Sequence, residues 1–141
     1  MNNYDEYYHD FEKLIDDFHE TLHEYPIFSE QINEIYDNDI KEIDELVNKN
    51  DLYYLKKAIN KLNNVIDYIK DTNYKINKLY SEFDKKVIKW SELELKQKDD
   101  KLLDKLNDNI NKVNILIKSH DLKDIEEANK LLDENIKLIK G

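Results

Sequence analysis

The sequence predicts an all-α protein, and three observations support that prediction. Apolar residues recur three and four positions apart along the whole chain, which is the spacing of one face of an α-helix. The 141 residues contain one proline, Pro26, and one glycine, the last residue, so tight β-hairpins and phosphate-binding loops are disfavoured. Leu, Ile, Val and Phe number 42, which is enough to build a folded core despite a charged fraction of 38%.

Two amphipathic helices are predicted in the first 50 residues. The first covers residues 4–24, and Pro26 ends it because proline cannot continue a helix. The second begins at about Ser29, a residue suited to cap a helix N-terminus, and runs to Val47. The polar cluster at residues 48–51 then ends it.

A long helix with a coiled-coil pattern is predicted next. Twelve positions between residues 52 and 90 keep an unbroken heptad register, and Asn73 is the only polar residue on this heptad seam. One interpretation is a continuous helix over residues 52–90, about 58 Å long at about 1.5 Å per residue, in which Asn73 fixes the register. The alternative is a short break at residues 71–73. Because the phase of the pattern is kept across the break, we expect the continuous helix.

Two further helices complete the chain. Residues 91–94 match the capping-box pattern and predict one helix start, with Asp99–Asp100 as the rival start. From either start the apolar pattern continues to Lys118. Residues 119–121 predict a tight corner, and the final helix follows from Leu122.

The second half of the chain resembles the first when the sequence is shifted by 70 residues. Eight of 26 residues are identical between residues 45–70 and residues 115–140. These identities include the only two alanines, Ala58 and Ala128, where a larger side chain would overpack a close helix crossing. Any two amphipathic helices share apolar positions, but that does not explain the paired alanines. We therefore predict an internal duplication.

The predicted architecture is an elongated helical bundle in which two three-helix units share the long central helix. The units are residues 1–70, which are acidic, and residues 71–141, and we expect them to fold as one cooperative domain. A break at Asn73 would give a compact six-helix arrangement instead.

Charge is distributed unevenly within the formal net charge of −10. Residues 1–50 carry 15 acidic residues and three lysines, whereas residues 51–141 carry 17 acidic residues and 19 lysines. We predict that this acidic arm, residues 1–50, binds a basic protein partner, since complementary potentials speed association. Seven residues are candidates for this contact: Glu6, Tyr8, Asp10, Asp16, Asp17, Glu20 and Glu24.

The acidic arm has other interpretations. Its charge can serve only to keep the protein in solution. Carboxylates along a helix can also imitate the charges of a nucleic-acid backbone. Tyrosine is enriched in protein interfaces, but most tyrosines of the arm fall on the apolar stripe, where core packing explains them. All 22 basic residues are lysines, and this absence of arginine, with the negative net charge, disfavours direct binding of nucleic acid.

Neither a metal site nor an enzyme active site is predicted. Two Glu-x-x-His sequences end at His9 and His23, but both lie on one helix and away from its apolar stripe. His19 and His23 are one turn apart, and nothing compels a third ligand. Cysteine is absent, and no serine is paired with a convincing base. We expect no catalytic residue, no cofactor and no metal.

The sequence favours a non-catalytic interaction protein that binds a basic partner as an inhibitor, an immunity factor or a nucleic-acid-mimic antagonist. The alternative is a structural coiled-coil adaptor or a secretion-type chaperone, homodimeric through the heptad seam. No apolar run is long enough to span a membrane, and the first residues do not form a secretory signal. A cytoplasmic location without membrane contact is therefore expected.

Overall fold

The computed structural model describes residues 3–140, which are helical along nearly their whole length. The helices are α1 (Asn3–Glu24), α2 (Ser29–Glu34), α3 (Lys41–Val47), α4 (Leu52–Lys96), α5 (Asp100–Ile117) and α6 (Leu122–Lys140). A π-helical segment (Ile35–Ile40) connects α2 directly to α3. Residues 3–140 contain no strand, so the all-α prediction is confirmed.

The N-terminus of α2 is capped differently from the prediction. Phe28, in an extended conformation, occupies the cap position, and Ser29 is already the first helical residue. The backbone N–H of Phe28 donates a hydrogen bond to Oε1 of Gln31 at 3.1 Å, which is the reciprocal half of a capping box. The prediction that Ser29 is the cap is therefore wrong, because the Gln31 side chain, rather than a serine hydroxyl, makes the capping bond.

Helix α4 is continuous through Asn73 and contains 45 residues, as the unbroken heptad phase predicts. The helix start predicted at residues 91–94 is wrong, because α4 continues to Lys96 and the Ser91 hydroxyl donates within it to the Val87 carbonyl at 3.0 Å. The rival start is confirmed. The Asp99 carboxylate accepts from the first N–H groups of α5, those of Lys101 at 3.1 Å and Leu102 at 3.3 Å.

Two corners of the chain have the same local structure. Asn50 and His120 both adopt a left-handed backbone, with φ of 52° and 55°. Each directly precedes an aspartate whose carboxylate accepts a hydrogen bond from the N–H two residues further on. The predicted corner at residues 119–121 is confirmed, and its counterpart lies 70 residues earlier.

The described chain divides into two compact units, one ending at Tyr74 and one starting at Lys75, and each has its own core. The fully buried core of the first unit contains Phe18, Ile35, Ile43, Leu55, Ala58, Leu62 and Ile69. The second unit is centred on Trp90, Leu106, Leu132 and Ile136, with Phe83 and Ile110 packed against them. Residues 1 and 141, the outer ends of the predicted units, lie outside the described residues.

The order of buried residues in the first unit recurs in the second. We call two residues counterparts when they hold the same place in this order. The first half of α4 and α6 match at a step of 70, and their shared buried pairs are Leu55/Ile125, Ala58/Ala128, Leu62/Leu132 and Ile66/Ile136. Helix α1 and the second half of α4 match at a step of 72, which pairs Phe11 with Phe83 and Phe18 with Trp90.

The π-helical segment holds one residue more than its counterpart in α5. Three exposed residues separate the buried Ile35 from the half-buried Asp39. Only two exposed residues separate the buried Leu106 from the half-buried Asn109. A π turn accommodates an extra residue in a helix without rotating the rest of its face. The uniform step of 70 would make Tyr36 the counterpart of Leu106, but Tyr36 is 41% exposed. Counterpart residues are therefore 71 positions apart before the π turn, as in Ile35 and Leu106, and 70 positions apart after it, as in Ile43 and Val113.

Candidate functional site

An open groove of about 380 Å³ lies between α1 and α4 in the first unit. Four carboxylates line it, three from α1 and one from α4: Asp17, Glu20, Glu24 and Asp67. Its other lining residues include Leu14, Thr21, Tyr25, Asn63, Ile66 and Lys70. We call this feature the acidic groove.

The groove follows from how α1 packs on α4. The apolar stripe of α1 is buried through Phe18, which is 1% exposed, and the residues beside the stripe therefore flank the helix contact. Two of the lining residues, Ile66 and Thr21, are buried, and the Thr21 hydroxyl donates to the Asp17 carbonyl at 2.6 Å. The result is a mainly polar groove in which Leu14 and Ile66 are the aliphatic lining residues.

The acidic groove suits a cationic side chain with an aliphatic stem. At neutral pH its four carboxylates outnumber the single lysine, Lys70, by three charges. The stem of a lysine or arginine could contact Leu14 and Ile66 while the charged end meets the carboxylates. A cation–π contact is also available there, since the Nζ of Lys70 lies 5.6 Å from the centre of the Tyr25 ring.

The structure brings most, but not all, of the predicted acidic residues onto one side of α1. At about 100° per residue, Glu6, Asp10 and Glu24 lie within about 20° of Asp17 around the helix, and Glu20 lies about 60° away. All of them are exposed, and from Glu6 to Glu24 the row extends over about 27 Å. Only Asp17, Glu20 and Glu24 reach the groove. Glu6 and Asp10 continue the row beyond it.

Two predicted residues lie elsewhere on α1. Asp16 is exposed but points about 100° away from Asp17, so the two carboxylates do not share a surface. Tyr8 lies about 180° from Asp17, on the opposite side of the helix. Its ring stacks on that of Tyr4 with the centres 6.1 Å apart and contacts that of Phe11 at 6.2 Å. Tyr8 is 38% exposed and belongs to this aromatic cluster.

Sequence reasoning missed Asp67, the carboxylate that closes the groove on the α4 side. A signal was present in the sequence. Asn63, Asp67 and Lys70 are spaced four and three residues apart, so they form one stripe along α4 beside the heptad seam. Finding it required knowing that α1 packs beside this stripe, and spacing within one helix does not specify its partner.

Asn73, predicted to set the register of a coiled coil, makes a contact inside the first unit. Its side-chain Nδ2 donates a hydrogen bond to the Pro26 carbonyl at 2.8 Å. The bond ties the turn after α1 to the middle of α4. This contact gives Asn73 a structural function that does not require a second chain, and the register function stays a prediction.

A second groove, of about 280 Å³, lies between the π-helical segment and α4. Lys61 lines this groove, and its Nζ lies 2.6 Å from Oε2 of Glu42 and 3.7 Å from Oδ1 of Asp39. The hydrogen bond to Glu42 raises the pKa of the Lys61 side chain above its ordinary value, and the charges of both carboxylates add to this. The lysine is engaged by the protein's own carboxylates, so this groove offers less uncompensated charge than the acidic groove.

The part of the chain that the structure describes contains no group of three His, Asp or Glu side chains placed to hold a metal ion. His9, His19 and His23 are all exposed on α1. None of the helices within residues 3–140 is both long and apolar enough to cross a membrane.

Comparisons with models of known protein families, with curated proteins and with solved structures found no match to this chain.

Proposed function

We propose that this chain is a non-catalytic binding protein whose acidic groove holds a basic segment of a partner protein. The single observation that supports this function best is the convergence of Asp17, Glu20, Glu24 and Asp67 on one groove between α1 and α4. Charges placed in a concave site are screened less than charges on an open helix, so a groove concentrates the attraction that the acidic arm spreads.

Binding of this kind fits an inhibitor, an immunity factor or an antagonist of a protein that handles nucleic acid. The acidic row extends from Glu6 to Glu24, so a partner that reaches the groove also meets the carboxylates beyond it. A surface that binds a chain of phosphates carries lysines and arginines in rows, and such rows would meet a row of carboxylates. We place this activity in the cytoplasm.

We further propose that the two units are three-helix bundles that arose by duplication. Their buried residues follow one order. The separation between counterpart residues falls from 72 to 71 in the turn before α2 and from 71 to 70 in the π-helical segment, and it changes nowhere else. Single-residue changes of length are most easily tolerated at such places. The matching left-handed corners at Asn50 and His120 support the same origin.

The alternative function, an adaptor that dimerises through the heptad seam, is less well supported. The seam residues Leu55, Leu62 and Ile69 are each 0% exposed, because the chain's own helices cover them. A second chain could reach them only if the unit opened.

The experiment is a capture from host lysate with the tagged protein, at low and high salt, using two matched variants. The groove variant carries Asp17→Asn, Glu24→Gln and Asp67→Asn. The control variant carries Asp5→Asn, Glu12→Gln and Asp16→Asn. It removes the same total of three charges, all from positions on α1 that lie about 100–140° around the helix from Asp17. We expect a basic partner that the wild type and the control retain at low salt, and that the groove variant loses.

Kinetics with the captured partner sharpen the test. Removing three carboxylates from the contact should slow association by about tenfold at low salt and flatten its salt dependence, whereas the control should change it little. Equal capture by the groove variant and the wild type would overturn the proposed function.

A further inference from the structure

We propose that a basic face on the second unit docks into the acidic groove of another copy of the chain. The basic face consists of the counterparts of the charged groove residues and their neighbours: Lys86, Lys89, Glu92, Lys96, Asp133, Lys137 and Lys140. This inference rests on the groove being a binding surface, as proposed above, and it names one partner of that surface.

The counterparts of the groove residues are fixed by the cores. Phe18 and Trp90 are the buried aromatic residues of α1 and of the second half of α4, 72 residues apart. The same step gives two pairs of opposite charge: Asp17 with Lys89, and Glu24 with Lys96. The step of 70 that joins Ala58 to Ala128 pairs Asp67 with Lys137 and Lys70 with Lys140.

Contacts within the second unit show that the same two helix faces lie side by side there. The Nζ of Lys86 on α4 lies 3.0 Å from Oδ2 of Asp133 on α6. Their counterparts, Leu14 and Asn63, both line the acidic groove. Lys89 on α4 interacts with Lys140 on α6, and their counterparts, Asp17 and Lys70, line it as well.

The charges of the two surfaces are equal and opposite. The groove has four carboxylates and one lysine, whereas the basic face has five lysines and two carboxylates. The net charges at neutral pH are therefore −3 and +3. Duplicated surfaces would be expected to keep similar charges, and instead three of the counterpart pairs are reversed, which is what a self-complementary chain requires.

The basic face also brings like charges together. Lys89 lowers the pKa of the Lys140 side chain below its ordinary value, mainly through a hydrogen bond between the two amines and further through repulsion between their charges. A carboxylate placed between the two lysines would relieve that repulsion. Asp17 and Glu24 of another copy are carboxylates of the required kind, and both are exposed on α1.

The contact joins two different surfaces, so it is a heterologous interface. Each copy would present one groove and one basic face. Association then either closes into a ring or a reciprocal dimer, or continues as an open chain of copies. Both outcomes raise the average mass of the protein, and both depend on the same charges.

Counterpart exchange tests the inference. The first variant, Asp17→Lys with Asp67→Lys, gives the first unit the lysines of the second. The second variant, Lys89→Asp with Lys137→Asp, gives the second unit the aspartates of the first. The third combines all four changes, which reverses the sign of both surfaces and changes their net charges from −3 and +3 to +1 and −1. All four substituted residues are exposed, and helical circular dichroism checks that each variant folds.

Sedimentation equilibrium over a series of protein concentrations measures the association. We expect the wild type to self-associate at low salt, and its association constant to fall about tenfold or more between about 0.05 M and about 0.5 M salt, as the screening length shortens from about 14 Å to about 4 Å. The first and second variants should be monomeric alone and should associate when mixed. The combined variant should associate more strongly than either single-surface variant alone but more weakly than the wild type, because its surfaces carry net charges of only +1 and −1.

Three results would overturn the inference: a wild type that stays monomeric at low salt, single-surface variants that associate as the wild type does, or a mixture of them that does not associate. The second variant keeps the whole acidic groove, so it also separates the two proposals. If it captures a foreign basic partner while the wild type is monomeric, only self-association is refuted. If the wild type self-associates and the first variant still captures the foreign partner normally, only the proposed function is refuted.

Discussion

Deleting Asn38 from the π-helical segment should leave the first unit folded and nearly as stable as the wild type. Asn38 is one of three exposed residues between the buried Ile35 and the half-buried Asp39, whereas α5 has two exposed residues at the corresponding place. The deletion leaves two exposed residues there, as in α5. The segment can then become an ordinary α-helix with Ile35 and Ile43 still facing the core.

The matched control is deletion of Asn107, an exposed asparagine between Leu106 and Val113 in α5. This helix has no extra residue to lose, so the deletion rotates one side of it by about 100° and shortens it by about 1.5 Å. Leu106 is 0% exposed and Val113 is 2% exposed. After the rotation only one of these two side chains can stay in the core. Burial of one such side chain contributes about 1.5–3 kcal/mol, and its half-buried neighbours move with it. We expect a loss of about 3 kcal/mol or more.

Urea unfolding followed by helical circular dichroism compares the two deletions. The Asn38 deletion should change the free energy of unfolding by less than about 1 kcal/mol, because no core side chain leaves its place. The reasoning is refuted if both deletions cost the same, or if the Asn38 deletion is the more damaging of the two.

Three further predictions concern single contacts. Asn135→Ala should destabilise the second unit by about 2–3 kcal/mol in urea unfolding, because the buried side chain accepts from Asn109 at 2.8 Å and donates to the Leu106 carbonyl at 3.1 Å; a neutral effect would contradict this. Asn73→Leu should lower the free energy of unfolding by about 1 kcal/mol, because it removes the hydrogen bond to the Pro26 carbonyl. Light scattering at high salt should give an unchanged mass, and an altered mass would favour the register function. Lys61→Met should cost about 0.5 kcal/mol at neutral pH, since the side chains of Lys61 and Glu42 are 28% and 57% exposed. Folding raises the pKa of Lys61 above 10.5, so this contribution is full below pH 10.5 and is lost as the pH rises through the folded-state pKa; a difference that persists at higher pH would refute the charge-based explanation.

Much of the fold could be predicted because its strongest signals are local. The heptad phase across Asn73 predicts one continuous helix, and α4 is continuous. The polar corner before Leu122 predicts a turn, and His120 is left-handed there. The sequence could not decide between the helix starts at residues 91–94 and at Asp99–Asp100, because both match the pattern of a helix N-terminus. Ser91 and Asp99 both match a cap, but in the structure α4 continues past Ser91, and both Trp90 and Leu93 belong to the core of the second unit.

The π turn could not be predicted from the sequence. The extra residue lies in the exposed run at residues 36–38, where an α-helix and a π-helix place the same kinds of side chain in water. Tyr36 fits the apolar spacing as well as Ile35 does, and the structure buries Ile35 instead.

The candidate site was predicted in part for a similar reason. Spacing along α1 identified the acidic row with Asp17 and Glu24, but the groove also needs Asp67 from α4. Which faces of two helices meet is a tertiary property. Helical spacing alone separates Asp16 and Tyr8 from Asp17 by about 100° and about 180°, but it does not show which side of α1 borders the groove.

The most direct test of the acidic groove is a titration of isotope-labelled protein with an oligolysine peptide, followed by amide chemical shifts at low salt. We expect the largest shifts at residues lining the groove, including Thr21, Ile66 and Asp67, and we expect the variant with Asp17→Asn, Glu24→Gln and Asp67→Asn to lose them. Shifts spread evenly over the acidic residues of α1, α2 and α3, or unchanged in that variant, would show that the groove is not a binding site.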